Sequence, residues 1–188
     1  MIAALSLALA VLPFWETKPP AQWTAAEVQE LLANSPWAQS AVDALGAGIG
    51  VYLASARPMW EAELEVIRRQ PPIEDPGAQE YRDSLRENQG KQIVLAVALP
   101  DRKVLEDPVE VRRMEAECFL KVGRKKYQMT GHFPPGATDP YLRLVFPRAV
   151  TAGDKSLVFE LYVPGAPSPY RRAEFRIKDL VYRGAVEM

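Results

Sequence analysis

The last third of the chain alternates. Leu142, Leu144 and Phe146 are separated by Arg143 and Val145; Leu157, Phe159, Leu161 and Val163 flank Glu160; Ala173, Phe175 and Ile177 interleave with Arg172, Glu174 and Arg176. A period of two is that of antiparallel strands with one buried and one wet face. Gly153-Asp154 and the stretch from Gly165 to Pro169 supply the turns. Two earlier runs also predict strands. "QIVLAVAL", 92–99, is apolar on both faces, as a central strand is. "GAGIGVYLAS", 46–55, puts Ile49, Val51 and Leu53 on one face and Tyr52 on the other.

Elsewhere the period is helical. Thr24 followed by Glu27 is a capping box, and Trp23 with Val28 is the hydrophobic staple that accompanies one. Val28, Leu31 and Leu32 then form an apolar face, and Ser35 before Pro36 stops the helix. Pro58 opens a second helix that runs to Arg69, with Trp60, Leu64 and Ile67 expected inward and Glu65 supporting Arg69. Asp75 caps a third helix that Pro76 begins and that ends near Glu87, with Ala78, Tyr81 and Leu85 inward. Asp107, Pro108 and Glu110 open a fourth, with Val111, Met114 and Cys118 at helical spacing. There Ala116, Cys118, Leu120 and Val122 also alternate, so helix gives way to strand near 115, and Gly123-Arg124 turns the chain into another strand through Tyr127 and Met129. These elements predict a single α+β domain at 16–188: N-terminal and central helices packed on a mainly antiparallel sheet completed by C-terminal β-strands.

Composition sharpens this picture. With 188 residues, 48% apolar and 25% charged, the chain can bury a core without disulfide or metal. Its net charge of −1 argues against a nucleic-acid binder, which shows a basic excess. The first fifteen residues, "MIAALSLALAVLPFW", are uncharged, too short to span a bilayer, and fit the apolar core of a secretory signal with "ALA" at 8–10 as a cleavage site. No Lys or Arg precedes the run, and no cysteine follows it to carry a lipid. An extracytoplasmic location, periplasmic or secreted, is the expectation, with no transmembrane span in the mature chain.

Candidate chemistry is sparse. Cys118 is the single cysteine and His132 the single histidine. A catalytic histidine needs an orienting carboxylate and a nucleophile, and "MTGHFPPG" offers neither. Cys118 reads as a small hydrophobe. "GAGIG" precedes its apolar run, whereas a dinucleotide loop follows a strand and opens a helix. Glu61, Glu63, Glu65, Glu74, Asp75, Glu80 and Asp83 read as solvated helix faces. No catalytic, metal or cofactor residue is assigned. Interaction candidates are Trp37, which the helix grammar leaves over and which is expected to anchor the helix exit, and the basic turn Lys121, Arg124, Lys125 and Lys126.

The stretch "KPPAQWTAAEVQELLANSPWA" resembles the opening of a group of uncharacterised secreted proteins of soil bacteria, on Trp23, Thr24, Glu27, Ser35, Pro36, Trp37 and Ala38. Phe146-Pro147-Arg148 and the closing stretch from Phe175 to Gly184 match the same group. The resemblance implies export and no known activity. Together these readings favour a non-catalytic protein that binds another protein or envelope component. The alternatives are a small-ligand carrier or sensor between helices and sheet, and a hydrolase built on paired carboxylates.

Overall fold

The computed structural model describes residues 12–99 and 101–188. Most of the apolar leader lies outside them. Within the described residues there are five α-helices: α1 (Phe14–Thr17), α2 (Ala25–Ala33), α3 (Arg57–Arg69), α4 (Pro76–Glu87) and α5 (Pro108–Glu117). The main sheet holds β1 (Ala38–Val42), β2 (Gly48–Leu53), β3 (Gln92–Ala98), β4 (Phe119–Val122), β5 (Lys125–Gln128), β6 (Gly131–Phe133), β7 (Tyr141–Pro147), β8 (Ser156–Tyr162) and β9 (Tyr170–Arg176). A two-stranded ribbon, β10 (Val181–Tyr182) and β11 (Ala185–Val186), ends the chain. The molecule is α+β, as the two periodicities predict.

The strand order is β5-β4-β8-β9-β1-β2-β3-β7-β6, and every pairing is antiparallel. Its two outer members are halves of one run. Met129 donates from its N–H to the carbonyl of Cys118 at the β4 end, and Thr130 donates to the carbonyl of Val145 in β7. The sheet therefore curls round and closes through residues 125–133, which leaves no long bare edge. Aromatic rings confirm the closure from inside: Phe146 on β7 and Phe159 on β8 are not strand neighbours, yet their centroids lie 5.3 Å apart across the interior. Leu95, Leu144, Leu157 and Phe175 fill the same interior, all fully buried or within 1% of it.

The sequence grammar explains the helices. In α2 the Thr24 hydroxyl accepts from the Glu27 N–H, and the Glu27 carboxylate accepts from the Thr24 N–H, so two orphan donors are satisfied. Trp23 and Val28 are both buried at the staple positions. In α4 the Asp75 carboxylate accepts from the Ala78 N–H at 3.0 Å, and Ala78, Tyr81 and Leu85 face inward as predicted. The α3 face differs from the expectation. Pro58, Met59, Ala62 and Glu65 are buried, whereas Leu64 and Ile67 are each 40% exposed. Small Ala62 lets the helix approach the sheet, and Trp60 and Ile67 instead line crevices toward α4.

The folded body also extends further toward the N-terminus than residue 16. Phe14 packs edge-on against Trp23 at 5.8 Å, Trp15 against Trp37 at 6.3 Å, and the Glu16 carboxylate accepts from the Arg183 N–H. Among the described residues no helix is long and apolar enough to cross a membrane.

Candidate functional site

Cα register places Tyr52, Ala96, Arg143 and Phe133 in one row across β2, β3, β7 and β6. The row lies on the outer face of the barrel, opposite the leucines that fill it. Helices α3 and α4 cover it. Ala96 presents only a methyl group to its neighbours, so the Arg143 guanidinium lies among the rings of Tyr81, Tyr52 and Tyr141, at 4.6, 5.5 and 5.5 Å from their centroids. It donates from Nη1 to Glu63 of α3 at 2.5 Å and from Nε and Nη2 to Asp139 at 2.9 Å each. The Tyr52 hydroxyl donates to the same Glu63 oxygen at 2.8 Å. Arg143 is 4% exposed in its side chain, so the network is desolvated. Burial pushes the Glu63 carboxyl above its usual range, with Arg143 pulling against it. Burial likewise pushes the Tyr52 and Tyr81 hydroxyls well up.

Over this network sits a pocket of about 70 Å³. Ligand pockets for drug-sized molecules begin near roughly 300 Å³. Two inward carboxylates do share this cleft, as a carboxylate hydrolase requires, but Arg143 holds both and the space does not admit a sugar ring. The loop after β6 is fixed from α4: the Asp75 carboxylate that caps the helix also accepts from the N–H and hydroxyl of Thr138, at 2.7 and 2.8 Å. These backbone and hydroxyl donors hold Asp75 below the usual carboxylate range.

The other half of the outer face, on β5, β4, β8 and β9, is roofed at its Tyr162–Tyr170 end by α5, whose Arg113 stacks over the Tyr162 ring at 4.5 Å and donates to the Tyr170 hydroxyl at 2.9 Å, and is otherwise bare. Glu160 there takes Lys121 at 3.1 Å and Lys126 at 2.9 Å, and Lys126 lies 3.9 Å from the Phe119 centroid. Arg124 and Lys125 stand exposed at the turn, where Gly123 takes φ +59°. The four basic residues therefore form one hairpin, two of them tied to a shared carboxylate. Beside it runs an open groove of about 620 Å³, lined by Val42, Phe119, Glu160, Tyr170 and Arg172 among others. At its end the β1–β2 loop projects Leu45, which is 89% exposed. Asp43 fixes that loop, accepting from the N–H groups of Leu45 and Ala47 at 2.9 Å each. Arg171 sits beneath, its side chain 5% exposed, donating to the Ala47 carbonyl and 3.7 Å from Asp43.

Trp37 is fully buried; its indole N–H donates to the Glu187 carbonyl at 2.8 Å and its ring meets Tyr182 edge-on. It anchors the helix exit, and no surface remains for a partner, which removes it as a contact candidate. The Cys118 thiol is buried between the backbone N–H and carbonyl of Tyr162, and burial pushes it up to about 12. His132 lies on β6 with Nδ1 3.5 Å from Glu115. "GAGIG" is a hairpin turn and the start of β2. Five of the seven acidic residues read as solvated have side-chain partners: Glu61 accepts from Tyr182, Glu63 from Arg143, Glu65 from Arg68 and Arg69, Asp75 from Thr138, and the more exposed Asp83 from Gln79 and Arg86. Glu63 stands four residues after the buried Met59 and next to the buried Ala62, a spacing that the expected inward face of Trp60, Leu64 and Ile67 passes over. The chain matches no family model, no curated protein and no solved structure.

Proposed function

We propose that the protein is a non-catalytic extracytoplasmic binding protein that engages an acidic partner protein on the bare half of the barrel, along the groove between Leu45 and the basic hairpin. The exposure of Leu45 carries this reading. Asp43 rigidifies the loop and a buried arginine supports it, so an apolar side chain is held in water by a loop built for the purpose. Val42 and Tyr170, 40% and 54% exposed, extend the apolar surface into the groove. An apolar centre with a charged rim is the anatomy of a protein interface. At the hairpin end the rim is basic, because Lys121 and Lys126 share one Glu160 and Arg124 and Lys125 add two more charges, while Glu117 and Asp43 further along are matched by Arg113 and Arg171. Export rests on the leader, and cleavage after Ala10 would leave Phe14 and Trp15 in the folded body.

The test is site-specific photo-crosslinking in envelope extracts of the producing cell. A crosslinker at Leu45 should give discrete protein adducts that a Lys125→Glu/Lys126→Glu double variant loses. A crosslinker at Ile73, 59% exposed on the loop between α3 and α4, is the control. Equal labelling from both positions, or adducts indifferent to charge reversal, would overturn the reading; adducts to polysaccharide would replace it with a glycan binder.

A further inference from the structure

The pocket over Arg143 has properties that packing alone does not require. Tyr81 lines it, and its hydroxyl, sealed from solvent, has no hydrogen-bond partner among the described residues. A buried hydroxyl left unpaired is costly, so a ligand atom there is favoured. Glu63 is half used: the bonds it accepts from Tyr52 and Arg143 both end on Oε1. The lining carries two carboxylates, Glu63 and Asp139, both held by Arg143, and at the rim Arg82, which donates to the neutral Gln79. The walls are the rings of Tyr52 and Tyr141, and Leu32, Val66 and Ile67 stand as apolar residues around them.

We propose that this pocket binds a primary alkylammonium group. An ammonium has three donors for the idle Tyr81 oxygen and the free carboxylate oxygen of Glu63, and aromatic faces favour a cation. The apolar residues suit the methylenes behind it. At about 70 Å³ the pocket accepts a CH2–NH3+ head, and a quaternary ammonium lacks the N–H donors that these oxygens need. This site is separate from the groove at Leu45, on the opposite half of the strand order.

The full chain is titrated by NMR with n-butylammonium, n-butanol, tetramethylammonium and Nα-acetyl-lysine N-methylamide. Butylammonium should saturate and bind at least about tenfold more tightly than butanol or tetramethylammonium, the ratio that about 1.4 kcal/mol supplies. Tyr81→Phe, which keeps the ring, should weaken it severalfold without altering the fold's spectrum, and Glu63→Gln should weaken it further. If the lysine derivative binds as well, the source is a protein lysine; if butylammonium binds and the derivative does not, the source is a small free amine. Either sustains the proposal. Equal binding of butanol, unchanged binding in Tyr81→Phe, or no saturable amine binding overturns it.

Discussion

Arg143 and Lys126 each stand on an outward row of a barrel strand, and each reaches a carboxylate within 3 Å. Their surroundings differ. Arg143 is 4% exposed beneath α3 and α4, whereas Lys126 is 47% exposed on the bare half. In the covered half the charges have left water, so each depends on its partners. In the bare half water competes for every contact, and the same geometry contributes little. A count of ion pairs would equate the two surfaces; burial ranks them.

The largest test of that ranking is Arg143→Met. It leaves Glu63 and Asp139 buried without a counter-charge and should cost about 3–5 kcal/mol in chemical denaturation. A loss below about 1 kcal/mol would make the two halves alike. Next is Ala96→Leu, which thrusts a side chain between Tyr52 and Arg143 and should cost about 1–3 kcal/mol. Val158→Leu, at the middle of the outward row through Lys121 and Glu174, should fall within about 0.5 kcal/mol.

Acidity separates the halves of the covered network itself. The folded state raises Glu63, so that carboxyl's contribution is complete below the ordinary carboxylate range and is lost as pH rises through its raised one. Asp75 is lowered, so its contribution is present above the ordinary range and lost as pH falls. Urea midpoints across pH should lose the first dependence in Glu63→Gln and the second in Asp75→Asn. Wild-type and Glu63→Gln curves that run parallel would remove burial from the account. Glu160→Gln should also have a small effect, under about 1 kcal/mol and shrinking with added salt, measured by the same midpoints.

Local signals carried most of the fold. The capping box of α2, the Asp-Pro starts of α4 and α5, and the alternation of β7, β8 and β9 are written within a few residues each. What escaped was set by distance. β1, "AQSAV", is too short and too weakly apolar to announce itself, and it exists because β2 pairs with it along its length. Closure depends on residues 125–133 serving two partners, which no window of sequence displays. The site divides in the same way. The basic hairpin was legible as a charge run beside a turn, but Arg143 looked like a solvated member of an alternating strand. Its burial follows from Glu63 and Tyr81, contributed by helices eighty and sixty-two positions earlier in the numbering.

One pairing in the closed sheet is slight: β1 meets β9 at a single register position, Val42 opposite Arg172, while β8 and β9 match at seven. That bridge joins the early part of the chain to the late part, the most expensive kind of contact to form, because a long loop must close before it gains anything. The hairpins β8–β9 and β1–β2 can assemble locally and wait. The seam between β1 and β9 is then the last of the sheet to close, backed by the Arg171 contact to the Ala47 carbonyl, and its amides beside Val42 and Arg172 should be the first in the sheet to exchange with solvent, ahead of any in β3 or β7.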